Sequence, residues 1–263
     1  MTTKLDLHEM KPLFILGCVR SGTTLVRDLL RRVPDTICPE ETHYFRYGEP
    51  FGIGSFNRPF LKSETLIKHR EIDGVPFAEF EKMLKTAKTR GELLCLHVAY
   101  MAQQRGLSTY RWFDKTPQNV YGLPLIRAEF PNAYFLHLVR NPLNVVASLK
   151  LGKVMKVSKI DAAINYWLEA VNTIRQMAPV LGPHLLEIKY EEFTADPVTG
   201  MDKLLRFADF DSLPGLFTKA DAHIERDQFR TILTAEEQAY VAKRCAAIAA
   251  EYGYDLHASI AES

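Results

Sequence analysis

The chain has 263 residues, with 33 Lys plus Arg against 32 Asp plus Glu and a formal net charge of +1. Apolar residues make up 47% and charged residues 25%, a soluble globular balance that excludes a disordered tail, a coiled coil and a collagen-like chain. The near-neutral charge lacks the basic surplus of a nucleic-acid binder, and a chain this long buries enough surface to fold without disulfide staples.

In chain order, residues 1–12 (MTTKLDLHEMKP) contain no apolar core of signal-peptide length. The early apolar stretch 13–19 falls far short of the ~20 residues that cross a bilayer. A cytoplasmic protein with no membrane span is therefore expected. Cys18, Cys38, Cys95 and Cys245 form no CxxC pair and read as reduced thiols. The run Pro12-Leu13-Phe14-Ile15-Leu16, ended by Gly17, predicts a buried strand. Over 23–32, Leu25, Val26, Leu29 and Leu30 recur at helical spacing. Further helices are expected over 78–88, 91–104, 160–177, 198–207 and 235–252. Thr234 and Glu237 form a capping box ahead of the last. Strands are expected over 133–139 and 185–190, with a helix over 143–149 that carries Pro142 in its first turn. Strands alternating with helices imply a parallel sheet covered on both faces. The fold class is α/β: a single P-loop-type domain over 1–263 with a central parallel sheet flanked by helices. Residues 43–110 are the least patterned, and 43–65 are expected to form a lid.

The most informative segment is Gly17-Cys18-Val19-Arg20-Ser21-Gly22-Thr23-Thr24, between the first strand and the first helix. Free N–H groups at the positive end of a helix suit a phosphate or sulfate. The spacing is close to the nucleotide-binding loop G-x4-G-K-[ST]. Thr23 stands at the Lys position, however, and the cation sits inside the loop as Arg20. The Lys that reaches the terminal phosphates in ATP and GTP hydrolysers is thus missing. On the loop alone, a plain strand–helix turn capped by Ser or Thr fits as well. A second signal lies in His137-Leu-Val-Arg140-Asn-Pro…Ser148. Arg140 is expected to emerge at the carboxyl edge of the sheet, where open α/β folds bind ligands, with Ser148 about two helical turns on.

Together these residues resemble the sulfotransferases that use 3′-phosphoadenosine 5′-phosphosulfate (PAPS) and release 3′-phosphoadenosine 5′-phosphate (PAP). Arg20-Ser21-Gly22-Thr23-Thr24 is similar to the family's loop for the 5′-phosphosulfate, and Arg140-Asn-Pro…Ser148 to its 3′-phosphate motif. Tyr190, in Ile188-Lys-Tyr190-Glu-Glu-Phe193, falls where such enzymes carry a Tyr near the adenosine phosphate. Arg230 falls where they carry a further basic residue for the 3′-phosphate. The stretch RSGTTLVRDLLRRVPDTICPEETHYF resembles the branch that includes tyrosylprotein sulfotransferases. This resemblance implies that Glu41 is the catalytic base and that Lys115, in Asp114-Lys-Thr-Pro117, acts at the sulfuryl group. His43 replaces the basic residue that follows Glu-Glu-Thr in the peptide enzymes, and is the second candidate base.

The implied chemistry is in-line transfer of a sulfuryl group from PAPS to a hydroxyl of a small molecule or peptide, with a carboxylate base. Arg20 and Lys115 meet the charge and no metal is required. Nucleic-acid partners are not expected, and the oligomeric state is not legible. The alternatives are a P-loop small-molecule kinase, which would want a Lys after Gly22 and Mg²⁺ ligands, and a non-catalytic nucleotide-binding module. Trp112, Phe113, Tyr44 and Phe45 read as core or as acceptor lining. His8, His97 and His137 read as packing or surface histidines.

Overall fold

In the computed structural model, described over residues 6–152, 156–211 and 213–261, the apolar run after Pro12 forms strand β1, Leu13–Leu16, fully buried at every residue. Helix α1, Thr23–Leu30, follows the glycine-bounded loop. The chain then forms β2, Thr36–Ile37, and four helices: α2, Gly54–Lys62, α3, Glu64–Ile72, α4, Phe77–Thr86, and α5, Arg90–Gln104. Strand β3, Arg111–Asp114, leads through a 3₁₀ turn, Pro117–Gly122, into α6, Leu123–Glu129. Strand β4, Tyr134–Val139, runs into α7, Pro142–Leu151, and α8, Ile160–Leu181, precedes β5, Leu185–Lys189. The rest is helical: α9, Tyr190–Ala195, α10, Pro197–Phe207, α11, Phe229–Ile232, α12, Ala235–Glu251, and α13, Leu256–Ala261.

The five strands form one sheet in the order β2-β3-β1-β4-β5, and every pairing is parallel. Period-two alternation divides the strand residues between two cores. Leu13, Ile15, Leu136 and Leu138 pack with Val26, Leu29 and Leu30 of α1 and with Met201 and Leu204 of α10. Phe14, Leu16, Phe135 and Val139 pack with α5, α7 and α8 on the opposite face. This is the α/β sheet expected from the sequence. The capping box at Thr234 and Glu237 is present as well.

The order has a functional consequence. From β1 the chain first builds β2 and β3 on one side, then crosses to β4 and β5 on the other. The strand order therefore reverses at β1. Open parallel sheets bind ligands outside the carboxyl ends of the strands at such a switch point. Here that crevice collects residues 17–22 after β1, 115–116 after β3 and 140–141 after β4.

Candidate active site

The loop after β1 has the shape its glycines require. Gly17 (φ +152°) and Gly22 (φ +89°) lie where side chains are disfavoured. A Cβ on Gly17 would stand 2.6 Å from the Leu138 carbonyl oxygen, and one on Gly22 would stand 2.2 Å from the Tyr190 ring. Both glycines are thus fixed by close approach as well as by turn geometry. Between them Arg20 is also left-handed, at φ +72°, which sends its side chain outward. Gly22 is the N-cap of α1 and supplies no side-chain cap. Ser21 is 1% exposed and its Oγ has no hydrogen-bond partner among the described residues. Thr23 is buried at the start of α1, while Thr24 is exposed.

The second sequence signal meets the first. Arg20 Nε donates to Ser148 Oγ at 3.0 Å, across 128 positions of chain. Arg140 Nη1 donates to the Arg20 carbonyl oxygen at 2.8 Å. The Arg140 guanidinium also lies over the Tyr190 ring, 4.6 Å from its centroid. Neighbours hold the backbone at this corner. Trp167 Nε1 donates to the Arg140 carbonyl oxygen at 2.9 Å. The Asn141 amide donates to Glu191 Oε1 at 3.0 Å, and Asn141 Oδ1 caps α7 at the Leu143 amide.

Arg140 has a partner that sequence reading missed. Its Nε donates to Glu225 Oε2 at 2.7 Å, and both side chains are largely buried. Glu225 lines a cavity of about 420 Å³ together with Arg140, Tyr190, His223 and Arg226. No local pattern could have flagged it, because the pair is 85 positions apart in an irregular, charge-rich stretch. Arg230 lies on α11, with Nη2 3.9 Å from Asp227 Oδ2 and its guanidinium over the Phe229 ring. It does not line that cavity; Arg226 does.

The third group lies after β2 and β3. Lys115, 1% exposed, donates from Nζ to Glu41 Oε1. The neighbouring Glu40 is tied elsewhere, at 2.9 Å from both Arg27 Nη1 of α1 and Arg31 Nη1 just past its end. Burial raises the Glu40 carboxyl, but its hydrogen bond to Arg31 and the charge of Arg27 bring it net below its ordinary value. The Glu40 amide donates to Asp73 Oδ1 at 2.8 Å, and the Glu41 carbonyl oxygen stands 3.0 Å from His69 Nδ1. Thr42 Oγ1 donates to Asp114 Oδ2 at 2.8 Å. Tyr44 OH shares a 2.7 Å hydrogen bond with His97 Nδ1, and His97 Nε2 stands 3.0 Å from Asp73 Oδ2, off hydrogen-bond angle.

His43 is buried at φ +56°, with Nε2 3.7 Å from Glu41 Oε2. Burial pushes its imidazole down to about 4, against the opposing pull of Glu41. It is therefore neutral at pH 7 and a weak proton acceptor. Trp112, Phe113, Tyr44 and Phe45 are core residues, each at most 8% exposed. The four cysteines are free and buried. Burial pushes the Cys38, Cys95 and Cys245 thiols up to about 12, and raises Cys18 in the loop further still, so Cys18 is no nucleophile at neutral pH. No helix among the described residues is long and apolar enough to cross a membrane.

The chain is similar to a protein-tyrosine sulfotransferase of Drosophila melanogaster, at 27% identity over 207 residues that take in 77% of this chain and 38% of that protein. It thus spans well under two thirds of that relative's length. Among solved structures, its fold is similar to the sulfotransferase domain of the Synechococcus PCC 7002 olefin synthase, with a TM-score of 0.69 at 19% identity, covering 96% of this chain and 99% of that domain. It is also similar to mouse sulfotransferase SULT7A1 complexed with PAP, with a TM-score of 0.52 at 13% identity, covering 97% and 91%. The model of the sulfotransferase family matches residues 12–214, most of the chain and all five strands, and the chain belongs to that family.

Proposed function

We infer that this chain transfers a sulfuryl group from PAPS to a hydroxyl acceptor by in-line displacement. The observation that carries the reading is the meeting of Arg20, Ser148 and Arg140. Two motifs more than 100 positions apart join by direct hydrogen bonds beside the loop. That is the arrangement needed to span a ligand with two phosphate groups. The donor set fits such a ligand. Ser21 Oγ is buried without a partner among the described residues, and the N-cap of α1 makes no side-chain hydrogen bond.

In this reading Ser21, Gly22, Thr23 and Thr24 bind the 5′-phosphate through hydroxyls and backbone N–H groups. Arg140 and Ser148 bind the 3′-phosphate, Tyr190 packs beside it, and Arg230 is a further cation. PAPS, when bound, supplies a sulfuryl group on a phosphate leaving group. Glu41 takes the acceptor's proton. Lys115, already bonded to Glu41, and Arg20 stabilise charge on the sulfuryl and leaving oxygens. His43 is the second candidate base, disfavoured by its lowered pKa. The acceptor is a small-molecule or peptide hydroxyl, the class suggested by the tyrosine sulfotransferase relative.

Thermal unfolding with PAP in EDTA, compared with ADP and with ATP plus Mg²⁺, tests the reading. A ligand at 100 times its dissociation constant stabilises the fold by ~2.7 kcal/mol, a shift of several degrees at this size. A shift with PAP and none with ATP is expected. A shift confined to ATP and Mg²⁺ would replace the reading with a kinase.

A further inference from the structure

Asp114, the last residue of β3, is 1% exposed, and its side-chain hydrogen bonds among the described residues go to none of the candidate phosphate ligands. Its Oδ2 accepts from Thr42 Oγ1 at 2.8 Å and from Thr116 Oγ1 at 3.3 Å, and its Oδ1 accepts from Asn119 Nδ2 at 2.9 Å. Thr116 Oγ1 in turn accepts from the Thr42 amide at 2.9 Å. These bonds close a ring: Thr42 amide to Thr116 hydroxyl, Thr116 hydroxyl to Asp114, Thr42 hydroxyl to Asp114. Thr42 follows Glu41 in the chain and Thr116 follows Lys115. The ring therefore ties together the two backbones that present Glu41 and Lys115 to each other.

We propose that Asp114 is a positioning residue, which through Thr42 and Thr116 sets the spacing of the Glu41–Lys115 pair. A buried carboxylate is a costly way to hold two turns together unless its position matters. Burial raises the Asp114 carboxyl to about 6 even though the Thr42 and Thr116 hydroxyls pull it down. The cost is therefore still present in the folded chain. Covalent geometry alone would not fix the spacing, because residue 41 follows β2 and residue 115 follows β3, 74 positions later. This inference rests on the proposed roles of Glu41 and Lys115.

The test observes the Lys115 ammonium group by NMR of the full chain labelled with ¹⁵N-lysine, assigned by the signal lost in Lys115→Arg. Glu41→Gln is expected to shift or remove this signal. Thr42→Val and Thr116→Val, which keep shape and lose the hydroxyl, are expected to do the same. Thr42→Ser and Thr116→Ser are expected to preserve it. Asp114→Ala, which removes both acceptor oxygens, is expected to shift or remove the signal as well, whereas Asp114→Asn, which keeps one acceptor for the two hydroxyls, is expected to preserve it. Asn119 Oδ1 has no partner among the described residues, so Asn119 can turn its amide over and accept from the new side chain. PAP affinity, read by calorimetry, is expected to stay unchanged in the Thr variants. A signal moved by Glu41→Gln but untouched by both Val variants overturns the positioning role alone. A signal untouched by Glu41→Gln, or absent from the wild-type chain, overturns the pairing and with it the assigned transfer centre. Val variants that lose stability but keep the signal mark the ring as ordinary core and also overturn the proposal.

Discussion

Between Glu40 and Tyr44, the Glu40, Thr42 and Tyr44 side chains are each bonded to a structural partner. Glu41 differs, because its partner Lys115 is itself a candidate for the reacting group. In the proposed reading, a carboxylate whose hydrogen bond among the described residues goes to the candidate cation is free to accept a substrate proton once the acceptor enters. Glu41→Gln keeps the shape and removes the proton acceptor. It is expected to lower sulfuryl transfer to a phenol probe such as 4-nitrophenol by ~10²–10⁴, with PAP affinity unchanged by calorimetry. Transfer at the wild-type rate would remove Glu41 from the mechanism. His43 supports a second prediction at this scale. Its pKa falls from 6.5 to about 4 on folding, so the unfolded chain takes up a proton below pH 6.5 and the folded chain does so only near 4. The stability contribution is present above pH 6.5 and lost as pH falls to about 4, on the order of 3 kcal/mol. Asp114, raised on folding from 3.8 to about 6, contributes with opposite sign in the same window. The difference between wild type and His43→Asn isolates the histidine, and Asn tolerates the left-handed backbone at this position. His43→Asn is expected to lose less stability than wild type between pH 7 and pH 4.5 in parallel melts. Equal losses would mean the imidazole titrates alike in both states. Glu41 and Lys115 were singled out by resemblance, and the fold brings the two side chains together. The ring around Asp114 was not legible, because Thr42 and Asn119 carry ordinary residue types whose meaning comes only from contacts across the fold.

At the scale of elements, the sequence revealed those with strong periodicity and hid those shaped by pairing. The helices over 23–32 and 235–252 and the strands over 133–139 and 185–190 were legible within a few residues. Strand β2 is two residues long, and β3 reads Arg-Trp-Phe-Asp. Neither carries a period, and both exist because neighbouring strands accept their hydrogen bonds. Helix α3 was equally hidden, since only Leu66 and Arg70 of its nine residues are buried. The irregular segment ahead of α11 shows the same limit with a functional consequence. It is tied to α7 by Asn144, whose Nδ2 donates to Asp227 Oδ1 at 2.9 Å, and it delivers Glu225 onto Arg140. In the proposed reading, a 3′-phosphate on Arg140 would share its guanidinium with the Glu225 carboxylate, a like-charged competitor. Glu225→Gln removes the competing charge and is expected to tighten PAP binding about tenfold, the worth of about 1.4 kcal/mol. Calorimetric titration of both proteins with PAP checks this. Weaker binding by the variant would instead make Glu225 a direct ligand of the nucleotide.

At the scale of the whole molecule, the site depends on both cores, because its three loops leave a sheet that is packed on each face. Helix spacing and strand runs pointed to that layered sheet. The order β2-β3-β1-β4-β5 did not follow from them, since its parallel pairs join residues from 50 to 121 positions apart and leave no local mark. The order nevertheless assembles the candidate site, because it brings 17–22, 115–116 and 140–141 to one edge. The link from core to site is most direct at Trp167. This side chain of α8 is fully buried, yet its Nε1 donates to the Arg140 carbonyl oxygen at the end of β4. Trp167→Phe keeps most of the apolar packing and leaves that carbonyl without its donor, at a cost of ~1–3 kcal/mol. For a protein of this size each kcal/mol lowers the melting temperature by about 2–4 °C. If the hydrogen bond only stabilises the fold, the melting temperature drops and PAP affinity stays put. If it also sets the direction in which Arg140 leaves the strand, PAP affinity falls several-fold in the same variant. The second outcome is expected, because Trp167 and Glu191 grip the backbone on both sides of the Arg140–Asn141 peptide, and loss of either grip frees the guanidinium from its place over Tyr190. Melts and calorimetric titrations of the one variant separate the two outcomes.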